Sequence, residues 1–126
     1  MKLVLKKNKH GFTIVELLIV LTIIALLLSI VTPKYFDHIQ EAKEMVLKQN
    51  LSTIRYSLDK FYSDRGRYPE SLQELIYAKY LREIPSDPTN EKQEWQIIKD
   101  DTGQGIYDVK STNYEIGSNK KRYSEW

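Results

Sequence analysis

Residues 12–32, FTIVELLIVLTIIALLLSIVT, form a predominantly apolar run whose one charge is Glu16. At 1.5 Å rise per residue, a helix of this length spans about 30 Å, the hydrocarbon thickness of a bilayer, so the run predicts a membrane-spanning helix. Past Pro33 the pattern changes. Ile39, Ala42 and Val46 recur three and four apart, and Leu47, Leu51, Ile54, Leu58 and Phe61 continue at steps of four, three, four and three. That spacing is the apolar stripe of an amphipathic helix, with Lys43, Glu44, Lys48, Arg55 and Lys60 on its other faces.

The helix is expected to stop near Ser63-Asp64-Arg65-Gly66, where glycine supplies a left-handed cap. Tyr68 before Pro69 forces an extended connection. Ser71-Leu72-Gln73-Glu74 is a capping box that opens a short helix burying Leu72, Leu75 and Ile76, with Tyr80 or Leu81 beyond. Turn formers cluster at 84–90. Strands are predicted over 94–99 and 106–110 around the polar loop 100–105, and 111–121 has too few apolar residues for a third. The fold class is α+β: a long N-terminal helix, membrane-spanning in its first half, packed in its second half on a small antiparallel sheet.

Charge sharpens the membrane assignment. The net charge of +2 is carried by Lys2, Lys6, Lys7 and Lys9; after Gly11, fifteen Lys and Arg face seventeen Asp and Glu, a balance of −2. The basic residues before the run, with no matching cluster just after it, place the N-terminus in the cytoplasm and the remainder outside. An acidic product gives no footprint for nucleic acid, which is not expected as a partner. An ordinary secretory signal is disfavoured, because the run is long and ends in Ser29-Ile30-Val31-Thr32-Pro33 without a small-residue cleavage pattern. The absence of cysteine excludes disulfides, thiolate metal sites and a cysteine nucleophile. His38, beside Asp37, is the one histidine after Gly11; sequence neighbours on a helix face different ways and make no catalytic pair, so no enzyme is expected.

Lys9-His10-Gly11-Phe12-Thr13-Ile14-Val15-Glu16 resembles the processing site of the type IV pilin family. The resemblance implies that a membrane prepilin peptidase cuts between Gly11 and Phe12 and that the new amine of Phe12 is methylated. Glycine suits the position before the cut, since it resists helix formation just ahead of a strong helix former. The resemblance also implies that Glu16 attracts the Phe12 amine of a neighbouring subunit during assembly. A carboxylate inside the membrane end of a helix is costly and kept for function, and in a low-dielectric setting that attraction is strong enough to set register. The plainer alternative is that Glu16 complements its own helix dipole and snorkels to the headgroups. Pro33 stands where the family carries a helix-kinking proline. On this basis the chain divides into a cleaved leader, residues 1–11; a transmembrane and filament-core half-helix, residues 12–32; and a periplasmic head, residues 33–126.

Within the family, Gly66-Arg67-Tyr68-Pro69, the Ile84-Pro85-Ser86-Asp87-Pro88 turn, Trp95, Ile106-Tyr107-Asp108-Val109 and Tyr123-Ser124-Glu125-Trp126 resemble the major pseudopilins of type II secretion systems. Those proteins typically bind calcium in the loop before the C-terminus. Here Ser111, Glu115 and Asn119 are the oxygen-bearing candidates, but Asn119 and Lys120 stand where acidic residues are expected, and Lys120, Lys121 and Arg122 repel a cation. A polar loop closed by packing of Tyr123 and Trp126 is favoured, Asp100-Asp101 reads as a solvated turn, and no other cofactor is expected. The resemblance implies an inner-membrane subunit that enters a periplasmic homopolymer, with the prepilin peptidase, the inner-membrane assembly platform and its ATPase, and minor pseudopilins as partners. The alternatives are a type IV pilus subunit for adhesion, motility or DNA uptake, and a single-span anchor presenting a small module without polymerising. Arg55, Asp59, Lys60 and Asp64 are exposed candidates for bridges between subunits.

Overall fold

The computed structural model describes residues 10–92 and 94–126. The basic leader residues, 1–9, lie outside the described residues. Four elements and a final 3-10 turn follow in order: α1 (Ile14–Arg65), α2 (Leu72–Tyr77), β1 (Trp95–Lys99), β2 (Ile106–Ser111) and the turn Tyr123–Glu125. The described residues fall into two units, one ending at His38 and the other spanning Ile39–Trp126.

In the first unit, the N-terminal part of α1 is long and apolar enough to cross a membrane, and its most apolar stretch is not covered by the rest of the described chain. Its hydroxyls turn inward on the helix: Thr22 donates to the Leu18 carbonyl at 2.7 Å, Ser29 to Leu26 at 2.6 Å and Thr32 to Leu28 at 2.6 Å. Each polar group is thereby satisfied without water, as a lipid environment requires. Pro33 lies inside α1, which continues through it. Its missing N–H removes the donor that would meet the Ser29 carbonyl.

In the second unit, Leu47, Leu51, Ile54, Leu58 and Phe61 of α1 form one wall of the core, facing Leu72 and Leu75 of α2, Leu81, Ile106 and Val109 of β2, and Tyr123. The stripe starts later than its spacing predicts: Ala42 and Val46 are exposed, and the residue buried one turn before Leu47 is Glu44. Gly66, at φ +69°, ends α1 and donates to the Tyr62 carbonyl at 2.8 Å. Ser71 caps α2 through its hydroxyl, which accepts from Glu74 N–H at 3.2 Å. The Glu74 carboxylate departs from a simple capping box by accepting from Glu70 N–H at 2.7 Å while its other oxygen meets Arg67 at 2.5 Å. At the far end of α2, Tyr80 N–H reaches the Leu75 carbonyl at 2.8 Å and Lys79 N–H reaches Ile76 at 3.0 Å. This is a Schellman closure with Lys79, at φ +66°, in the left-handed position usually given to glycine.

The sheet is two antiparallel strands, with Trp95 opposite Ser111 and Ile97 opposite Val109. Its register slips between Ile98 and Lys99, where Ile98 faces Asp108 but Lys99 faces Ile106, leaving Tyr107 as an extra residue. A bulge changes the side-chain phase, so Ile106 and Val109, three apart, are both buried while Tyr107 faces solvent. The 111–122 stretch adds one isolated bridge, Ile116 with Arg122, and no further strand.

Phe61, in edge contact with Tyr80 at 5.4 Å, is the largest fully buried side chain of the core. Phe61→Ala is expected to cost about 3–5 kcal/mol, read as a lower urea midpoint by circular dichroism on the detergent-solubilised chain. Lys79→Gly is expected to raise the same midpoint, by up to about 1 kcal/mol, through relief of the left-handed strain.

Candidate functional site

The backbone from His10 to Thr13 is not helical, so the Gly11-Phe12 bond lies in a segment open to an enzyme just before α1 begins. Phe12 is 89% exposed, and a Cβ built on Gly11 would meet nothing within 4 Å among the described residues beyond its chain neighbours. The first turn of α1 is closed by a reciprocal pair. Glu16 N–H donates to the Thr13 hydroxyl at 3.2 Å, and Thr13 N–H donates to the Glu16 carboxylate at 2.9 Å. Thr13-Ile14-Val15-Glu16 is thus a capping box, a signal present in the sequence but hidden behind the assembly reading of Glu16. A carboxylate offers about four lone-pair positions, and the Thr13 N–H takes one. Glu16 can therefore hold its own helix end and still accept a cation from elsewhere.

The calcium candidates lie in the second unit. Ser111 is buried; its hydroxyl donates to the Asp87 carboxylate and accepts from Asn113 N–H at 3.1 Å. The Asn119 side-chain oxygen accepts from Lys121 N–H at 3.0 Å and from the Trp126 indole at 3.2 Å. Glu115 is exposed, and its backbone carbonyl accepts from Tyr123 N–H at 3.0 Å. Among the described residues, no group of three His, Cys, Asp or Glu side chains is placed to hold a metal ion. The oxygens of Ser111 and Asn119 are engaged by protein donors and the adjoining residues are cationic, so this donor set fits a hydrogen-bonded closure and not a hard-cation cage.

Two buried carboxylates close the segment. Asp87 is fully buried and accepts from Thr89 N–H at 2.8 Å, from the Thr89 hydroxyl at 2.6 Å and from Ser111, tying the 84–90 turn to the end of β2. Asn113 donates back to the Thr89 carbonyl at 2.6 Å, and the Trp95 indole donates to the Pro85 carbonyl at 2.7 Å. Glu44, 5% exposed, accepts from Ser118 N–H at 2.8 Å, from the Ser118 hydroxyl, from the Tyr123 hydroxyl at 2.9 Å and from Gln40 at 3.4 Å. Burial pushes the Glu44 carboxyl up, but the donors from Ser118, Tyr123 and Gln40 outweigh it and hold the group below its ordinary 4.5. Gly117 permits this approach, since a Cβ there would lie 2.7 Å from the Trp126 ring and 2.9 Å from the Tyr123 ring. Tyr123 and Trp126 do close the loop, with their rings 5.2 Å apart edge to face.

Glu44 falls on the buried face because it continues the stripe backwards at a step of three from Leu47. Its charge hid that phase from a search for apolar residues. Asp87 carried the signal of an Asx turn, Asp followed two residues later by Thr. Arg55 is half-buried and committed within its own subunit: its guanidinium donates to Asp108 at 2.8 Å, to the Val109 carbonyl at 3.2 Å and to the Trp126 carbonyl at 3.0 Å. Asp64 accepts from the Tyr80 hydroxyl at 2.7 Å, while Asp59 and Lys60 stay exposed. The Asp100 carboxylate closes the β1–β2 turn, accepting from Thr102 at 2.6 Å and from Gly105 N–H at 3.2 Å.

An apolar helix opened by a capping box directly after a Gly-Phe pair, followed in the chain by a small α+β unit, is a pilin-like arrangement. Residues 6–32 match the family model for the prokaryotic N-terminal methylation motif, a span that includes Gly11, Phe12 and Glu16. The chain is 26% identical to the type II secretion system core protein G of Pseudomonas aeruginosa, over 92% of this chain and 88% of that protein. It is 28% identical to the core protein G of Klebsiella pneumoniae, over 65% of this chain and 70% of that one. It is 32% identical to the type IV major pilin protein PilA of Myxococcus xanthus, over 56% of this chain but only 32% of that protein. No solved structure matches the chain. Residues 6–32 thus match the N-terminal methylation motif, and the chain is similar along most of its length to type II secretion system core protein G.

Because the folded value of Glu44 lies below its ordinary 4.5, its ionised form adds stability above that pH, and the contribution is lost as pH falls through the folded value. Glu44→Gln is expected to lower stability at pH 7 by about 2 kcal/mol, through imperfectly met donors, and to flatten the decline below pH 4.5 relative to the unchanged chain. Thermal melts of both chains from pH 7 to pH 3 measure the difference.

Proposed function

We propose that the protein is the structural subunit of a periplasmic pseudopilus of a type II secretion system, drawn from the inner membrane into a helical homopolymer that drives export of folded proteins. The observation that carries this reading is the likeness to core protein G along nearly the whole chain, including the head, whereas the likeness to the pilin covers a third of that protein. In this proposal a prepilin peptidase removes residues 1–11 and the Phe12 amine is methylated. The uncovered residues 12–32 anchor the subunit in the inner membrane and later pack in the filament core, while residues 33–126 form the periplasmic head. Glu16 then meets the Phe12 amine of a neighbour in low dielectric, where such a pair holds register. Pro33, lacking its helical donor, is the place where α1 is free to bend. ATP hydrolysis belongs to the assembly platform and its ATPase, and minor pseudopilins join the same fibre.

A type IV pilus subunit is the second reading, favoured by the shared methylation motif and the PilA likeness. A strain lacking the protein separates the two. Exported proteins trapped in the periplasm, with surface pili unchanged, are the expected result. Lost pili with normal secretion would overturn the proposal. Mass spectrometry of the mature chain is expected to show it beginning at a methylated Phe12, and Gly11→Glu is expected to leave the precursor uncut.

A further inference from the structure

Three tyrosines gather at the end of α1 and the sheet edge. Tyr62 and Tyr68 stack with centroids 4.5 Å apart, and Tyr107 meets Tyr68 edge-on at 5.7 Å. Tyr107 reaches this face as the bulge residue of β2 and is 56% exposed; Tyr62 is 47% exposed. Open clefts of about 410 and 450 Å³ flank the stack, and Asp100, Asp101 and Glu70 lie along them. The cations lining these clefts are Arg67, paired with Glu74 at 2.5 Å, and Lys99, with Arg65 close by over Phe61. Burial and the neighbouring Asp59, among other nearby groups, hold the Tyr68 phenol above its ordinary range, in keeping with a negative surround. Aromatic faces edged by carboxylates recognise a lysine or arginine side chain.

The same head carries such side chains on a rigid support. Gly117 N–H donates to the Lys121 carbonyl at 2.8 Å and Lys120 N–H donates to Gly117 at 3.1 Å, with Ile116 and Arg122 bridged below. The turn holds Lys120 at φ +64° and presents Lys120, Lys121 and Arg122 to solvent. It is fastened to α1 at Glu44 through Ser118, eighteen helical residues before Tyr62. At 1.5 Å per residue the two features stand about 27 Å apart along the helix, too far to meet within one subunit.

We propose that the Tyr62–Tyr68–Tyr107 face, with Asp100 and Asp101, receives the cationic turn 120–122 of a second copy, stacking heads end to end. The contact joins two different patches, so it does not close on itself and repeats along a filament. The inference rests on the filament reading of the protein. Charge complementarity selects a second copy as the occupant, because each chain carries both halves at opposite ends of its head.

The chain has no cysteine, so thiols can be placed singly. Asp101→Cys and Lys121→Cys are both exposed positions. Purified filaments of the double variant, treated with a short bis-maleimide, are expected to give a ladder of dimers, trimers and larger species, and each single variant only monomer. Asp101→Lys is expected to cut filament yield at least about tenfold, and adding Lys120→Glu and Lys121→Glu to restore it to within about threefold. Melting temperatures within error of the unchanged head would show that these variants fold. Filaments that form normally but give no ladder, a ladder to a different protein, or reversal without rescue would each overturn the end-to-end contact while leaving the filament reading intact. Failure of the unaltered chain to form filaments would overturn both.

Discussion

A helix whose apolar half nothing in the described chain covers cannot remain in water, and that constraint organises the protein. In the proposed function lipid covers this helix first, and the helices of neighbours cover it afterwards. Within that half the single charge, Glu16, sets the terms of the exchange. In the isolated chain it accepts from Thr13 and completes the first turn. The lone pairs that remain give it a reason to seek a cation wherever the dielectric is low. In the proposed function, cutting between Gly11 and Phe12 makes such a cation and removes the basic residues before it in one event. On that proposal the processing step and the carboxylate are two halves of one electrostatic device.

The head solves a different problem, that of holding a small unit together without disulfides. One face of α1, from Leu47 to Phe61, supplies half of the core, and the sheet contributes only two strands. The rest of the chain after β2 has almost no regular structure and is held by carboxylates. Asp87 ties the 84–90 turn to Ser111, and Glu44 ties the 117–123 segment to α1. Buried carboxylates are tolerable only when several donors meet them, as here.

Much of this was legible in the sequence because its signals are local. The apolar run, the stripe from Leu47 to Phe61, Gly66 as a cap, Ser71 as an N-cap and the two strands all follow from spacing or from single-residue backbone preferences. What was hidden depends on tertiary partners. Glu44 reads as a surface charge until Ser118 and Tyr123 arrive, more than seventy residues later in the chain. Arg55 reads as a free surface cation until Asp108 and the Trp126 carbonyl take it. The bulge at Tyr107 breaks strict alternation, so the buried pair Ile106 and Val109 could not be phased from the strand pattern alone. The capping role of Glu16 was legible in Thr13-Ile14-Val15-Glu16 but was eclipsed by the assembly role that the resemblance implies.

Those two roles of Glu16 separate chemically. Glutamine at this position keeps a side-chain acceptor for the Thr13 N–H, and so the cap, but cannot attract an amine as a carboxylate does. The most direct measurement is therefore the filament yield of Glu16→Gln beside the unchanged chain, with helix content and membrane insertion followed in the same samples. Normal helicity and insertion with filaments lost would establish the charge pair as the step that draws subunits together. Filaments formed by Glu16→Gln at the unchanged level would contradict it and leave Glu16 as a helix cap alone.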